Sequence, residues 1–154
     1  MLRSCIRAVG AEEGRRWAPT GYPRRMDDWT PHRRDDGELL GWIRPVGDAW
    51  TAVDVLGREV SDAVDWLVAE DALETHGLAW LADPWMLEGE ASTPLHVRFV
   101  EVTPSSPERA GRIVVKAEDF GDMRSPAAQR FELPWPAPKR LRPAMPGDPD
   151  GRTL

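Results

Sequence analysis

Two β-prone runs, Leu39 to Val46 and Ala49 to Leu56, are separated by Gly47-Asp48 alone, and that spacing constrains the chain more than any other feature. A Gly-Asp dipeptide suits a two-residue turn with positive φ at its first position, so the runs are expected to pair as a tight antiparallel hairpin. With that loop length Val46 faces Ala49, Pro45 faces Trp50 and Trp42 faces Val53. Period-two alternation then gathers Leu40, Trp42, Val46, Val53 and Val55 on one face and leaves Ile43, Pro45 and Trp50 on the other. Pro45 cannot donate to a ladder, so its strand is expected to be an edge or to end there.

After Gly57 the period changes. Ser61, Asp62 or Asp65 can cap a helix running to about His76, with Gly77 placed where a left-handed residue is wanted. On a helical wheel Trp66, Val68, Ala69, Ala72, Leu73 and His76 share one side and Glu70, Asp71, Glu74 and Thr75 the other, with Leu67 the exception. Such an amphipathic helix should pack on a sheet. Leu78 to Leu87 reads as a strand broken at Asp83-Pro84. Leu95 to Thr103 and Arg112 to Glu118 form the clearest pair, joined by a turn-rich connection, and a short strand is expected from Gln129 to Leu133. Beyond it, Pro134, Pro136, Pro138 and Pro143 favour an extended segment.

These elements define an α+β domain over residues 37–143, with five or six mainly antiparallel strands in a sheet or partial barrel and one amphipathic helix. A chain of 154 residues can bury enough surface for one such core without a metal or disulfide. Residues 1–36 read as a disordered basic arm, with Met26 a candidate for the true start, and residues 144–154 as a flexible tail. Charge follows the same division. Residues 1–34 carry net +4, residues 35–138 net −12 and the remainder net +2. A body so acidic repels phosphate backbones, so nucleic-acid binding by the core is not expected. Nor is there an apolar run long enough to span a bilayer. Cys5 is the only cysteine, which excludes an intramolecular disulfide and sets a reduced, cytoplasmic compartment as the expectation.

Catalytic and metal-ligating patterns are sparse. His32, His76 and His96 are scattered, no metal-ligand spacing joins them to Cys5, and no serine lies in a nucleophile elbow, so no catalytic, metal or cofactor residue is assigned. His76 reads as a structural residue in the last helical turn. Asp119-Phe120-Gly121 matches a kinase metal-binding triplet in letters only, since the phosphate loop and catalytic loop are missing. It reads as a loop after a strand.

Tryptophan is the remaining signal. Eight are present, seven of them between Trp29 and Trp135. An indole can fill a core or anchor a partner. Trp50, Trp85 and Trp135 are the first partner-binding candidates, because Trp is over-represented among binding hot spots. Trp135 lies in Pro134-Trp135-Pro136-Ala137-Pro138, a rigid run expected to dock on its own domain in preference to a partner. The stretch Leu78-Ala79-Trp80-Leu81-Ala82-Asp83-Pro84-Trp85, the Asp119-Phe120-Gly121 triplet and Leu133-Pro134-Trp135-Pro136-Ala137-Pro138 with Leu141-Arg142-Pro143 resemble uncharacterised small proteins of high-GC actinobacteria. That resemblance implies a bacterial cytoplasmic origin and supplies no activity. The reading is a non-enzymatic protein-interaction module for an unknown protein partner. Its rivals are a small hydrolase-like enzyme using His76, His96 and Asp119, which would have to converge in one pocket, and a small-molecule-binding regulator whose ligand stacks on Trp.

Overall fold

The Gly47-Asp48 turn closes its hairpin in the register that the loop length dictates. The computed structural model describes residues 26–118 and 129–149. Within them, a three-stranded antiparallel sheet runs in the order β1 (Thr30–Arg33), β2 (Leu39–Val46), β3 (Ala49–Asp54). Val46 lies opposite Ala49, Pro45 opposite Trp50 and Trp42 opposite Val53, and Gly47 has a φ of 59°. β1 falls inside the stretch read as a disordered arm, so the ordered fold reaches back at least to the short 3-10 turn Met26–Asp28. Its four residues include one proline and two charged or titratable side chains and show no apolar alternation. β2 is the central strand, but β1 begins opposite Ile43, so Pro45 has no ladder to serve on that side.

Within the paired residues of β2 and β3 the expected faces hold except at Leu40, and Val55 lies beyond the end of β3. His32 lies opposite Gly41 and Arg33 opposite Leu39, which leaves Leu40 as an extra residue in a β-bulge. The bulge turns Leu40 to the face of Ile43, where both pack with Ala52 and with Ala69 and Leu73 of α1 (Trp66–His76). Gly41 permits this at a φ of 152°, with the backbone of β3 so close that a Cβ would stand 2.0 Å from the Val53 carbonyl oxygen. Trp42 stays on the opposite face and enters the second core.

α1 begins after Asp65 and stops at Gly77, whose amide donates to the Leu73 carbonyl at 2.9 Å. Only Ala69 and Leu73 are fully buried along it. Val68, which the wheel assigns to the packed side, is half exposed, because the narrow sheet covers only the stripe through those two residues. No helix among the described residues is long and apolar enough to cross a membrane.

The remaining strands are β4 (Trp85–Leu87), β5 (Leu95–Thr103), β6 (Arg112–Ala117), β7 (Arg130–Pro134) and β8 (Leu141–Pro143), arranged antiparallel in the order β7-β6-β5-β4-β8. Pro134 sits on an edge strand, where its missing donor costs no ladder bond on the open side. The stretch before β4 is a 3-10 helix, Ala79–Ala82, and not a strand; the break at Asp83-Pro84 falls where expected. Trp42 and Leu56 pack with Trp85, Val97, Ile113, Val115, Leu133 and Leu141, so the second sheet covers the face of the first that α1 leaves open. The α+β class therefore stands, with eight strands among the described residues instead of five or six, in two open sheets.

The stretch after β8 is also tied down as far as Asp148. Arg142 donates to both oxygens of Asp148 at 2.8 and 2.9 Å and to Glu88 at 2.7 Å, and the Met145 amide donates to Asp148 as well. The bonds from Arg142, followed by that amide, lower the Asp148 pKa from 3.8 to about 2. A depressed carboxylate contributes stability above its unfolded pKa and loses it as pH falls through the folded one. The hook is therefore expected to loosen between pH 3.8 and about 2, read as a lower protection of the Met145 amide relative to its intrinsic exchange rate at each pH. Equal protection of that amide across this window would contradict the assignment.

Candidate functional site

Two of the three tryptophans expected to meet a partner are enclosed by their own chain. Trp85 is 1% and Trp135 5% exposed. The Trp135 indole donates to the Val55 carbonyl at 2.9 Å and meets Trp42 edge-on at 5.7 Å. The next residues complete the dock. The Ala137 amide donates to the Leu56 carbonyl at 2.8 Å, and Gly57 lies so close that a Cβ there would be 2.7 Å from the Cβ of Pro136, which follows a cis peptide bond. The proline-flanked run thus docks on the turn after β3, and neither Trp85 nor Trp135 keeps a free ring face. Trp50 differs: it is partly exposed and stands edge-to-face against Trp66 at 4.9 Å.

A buried polar cluster joins both sheets and the end of α1. Asp54, fully buried at the end of β3, accepts the Leu56 and Arg58 amides on Oδ1 at 2.9 and 3.0 Å. Its Oδ2 accepts Nε and Nη2 of Arg58 at 3.2 and 3.0 Å. The Arg58 guanidinium carbon lies 5.1 Å from the Trp80 ring and 4.8 Å from the Trp85 ring. His76 leans on Trp80 at 4.8 Å, and its Nε2 is 3.5 Å from Asp54 Oδ2 without a directed hydrogen bond. Trp80 and Trp85 come together at 5.9 Å because the break at Pro84 folds the chain back, and their indoles donate to the carbonyls of Gly77 and Trp80.

A cleft of about 120 Å³ opens over this cluster, lined by Arg58, His76, Trp80, Asp83, Trp85 and Pro143. No hydroxyl or thiol among the described residues lines it, so among them the His76 and Asp54 pair lacks the nucleophile of a triad. The four donors to Asp54 come from Leu56 and Arg58 and fix the turn after β3, and the Arg58 guanidinium carries the cluster across to Trp85 of the second sheet. His96 does not line this cleft; its Nδ1 is 2.9 Å from Glu118 Oε2. The convergence required of a hydrolase reading is therefore absent for the two imidazoles. Asp119-Phe120-Gly121 and Cys5 lie outside the described residues. His32 bonds Glu74 at 2.9 Å and so helps to hold β1 to α1. No three or more His, Cys, Asp or Glu side chains among the described residues are placed to hold a metal ion.

A second cleft, about 180 Å³, lies by the β5–β6 connection and is lined by Glu101, Thr103, Arg109, Ala110 and Arg112. Thr103 and Arg112 bond the Glu101 carboxylate and hold it below its usual pKa, so its polar groups already satisfy one another.

The outward side of α1 is different in kind. Leu67 is 75% and Val68 51% exposed, consecutive large apolar residues beside the partly exposed Trp66. Trp50 of β3 meets Trp66 and packs with it against the core beneath α1. Sequence reasoning did not select this strip, although Leu67 was the residue that failed to fit the wheel. Compared with known proteins, the chain matches no family model, no curated protein and no solved structure.

Proposed function

We propose that the chain is a non-enzymatic protein-interaction module and that its contact surface is the outward strip of α1. The observation that carries this reading is the exposure of Leu67 and Val68, consecutive large apolar residues on the outward side of α1, following a Trp66 that is only partly buried. Isolated exposed apolar residues are ordinary on any protein, but two large ones exposed together on one helix form the kind of patch that an interface core uses. Trp50 remains an anchor in this arrangement. Trp85 and Trp135 serve the module by keeping its two sheets together, because both rings are enclosed.

The double substitution Leu67→Ser with Val68→Ser tests it. Both side chains are exposed, so folding stability is expected to change by less than about 0.5 kcal/mol for each. Burying a leucine in an interface contributes roughly 1.5–3 kcal/mol, so association is expected to weaken by about tenfold or more. Proteins captured from the native host by the wild-type chain and by the variant, quantified side by side, give the readout. An identical captured set at equal yield would exclude α1 as the contact.

A further inference from the structure

The charges around the strip specify what covers it. α1 carries Glu70, Asp71 and Glu74 and no lysine or arginine, and Asp62 and Asp65 immediately precede it. Helical spacing puts Glu70 and Asp71 beside Leu67, and Asp65 and Asp71 beside Val68. His32 engages Glu74 at 2.9 Å and approaches Glu70 at 3.8 Å. Asp65 and Asp71 form no ion pair with any described residue. The apolar strip is thus bordered by two carboxylates that pair with no described residue.

We infer that the strip receives a basic segment of another protein, with one or two large apolar side chains anchored on Leu67, Val68 and Trp66 and lysine or arginine set against Asp65 and Asp71. This rests on the interaction reading above and names the partner's chemistry. An acidic partner would bring like charges together across the contact, which costs affinity and slows encounter. A second copy of the chain is disfavoured on the same ground, since it would bring the same acidic border to the contact. Flanking cations on an amphipathic helix or an extended segment would satisfy both features of the surface at once.

Three short fluorescent peptides of alternating composition, leucine with lysine, leucine with glutamate and serine with lysine, test the inference by anisotropy on the full chain. The leucine-lysine peptide is expected to bind about tenfold tighter than either other peptide, and to lose about tenfold on Leu67→Ser/Val68→Ser and again on Asp65→Asn/Asp71→Asn. Circular dichroism of each variant confirms that α1 is retained, and asparagine keeps the capping capacity of Asp65. Equal binding of the two leucine peptides, both lost on Leu67→Ser/Val68→Ser, would overturn the basic partner and leave the strip as a contact surface. Unchanged binding of the leucine-lysine peptide to Leu67→Ser/Val68→Ser would remove both. Self-association of the wild-type chain in sedimentation, abolished by the same variant, would identify a second copy as the occupant and overturn the inference.

Discussion

Gly41→Ala is expected to destabilise the fold by roughly 3–5 kcal/mol, combining the strain of an unfavourable φ with overpacking against the neighbouring strand. The added Cβ would sit 2.0 Å from the Val53 carbonyl oxygen and 3.0 Å from the Leu73 side chain. Backbone cannot yield there without breaking the β2–β3 ladder, and Leu73 is the helix residue that locks α1 to the sheet. A loss of that size is a large fraction of the stability of an ordinary domain. Urea unfolding followed by tryptophan fluorescence gives the measurement. Gly37→Ala is the matched control: it too has a positive φ, 86°, but nothing lies within 4 Å of the new Cβ, so a cost of about 1 kcal/mol is expected. Equal effects of the two substitutions would show that steric contact at the bulge is not what demands glycine.

Asp54→Ala is expected to cost about 3 kcal/mol, because it strands the Leu56 and Arg58 amides and leaves the Arg58 guanidinium without its carboxylate. That figure is at the lower end for a broken buried pair. Arg58 is 31% exposed and can recover some hydration when Asp54 is lost. The double variant Asp54→Ala/Arg58→Met should recover part of the loss, since a methionine can rest on Trp80 and Trp85 without needing a counter-charge. A single variant as stable as the wild type in chemical denaturation would show that the bonds to Asp54 add nothing net to folding.

The hairpin was legible because its determinant is local: a Gly-Asp turn fixes the pairing of β2 with β3 without help from the rest of the chain. Gly77 ended α1 for the same reason. Leu40 was misassigned because alternation presumes an unbroken ladder, and the bulge depends on β1, whose Thr30-Pro31-His32-Arg33 carries no apolar period. β8 was missed because three residues are too few to show alternation, and it sits in a proline-rich segment. Trp85 and Trp135 illustrate a different limit. The same residue type fills cores and anchors partners, and only packing separates the uses. Asp54 and His76 are distant in sequence and meet because α1 lies across the sheet, so no spacing rule could pair them. Leu67 was the one local anomaly that pointed outward.

The indole of Trp135 reaches a carbonyl 80 residues earlier in the chain. During synthesis, Trp42 and Leu56 therefore wait for Trp135 and Leu141 before their side of the hairpin is sealed, and the nascent polypeptide must emerge as far as Leu141 before it can shelter them. A truncation ending ahead of Trp135 leaves those side chains wet, however well the turn and the helix have already formed.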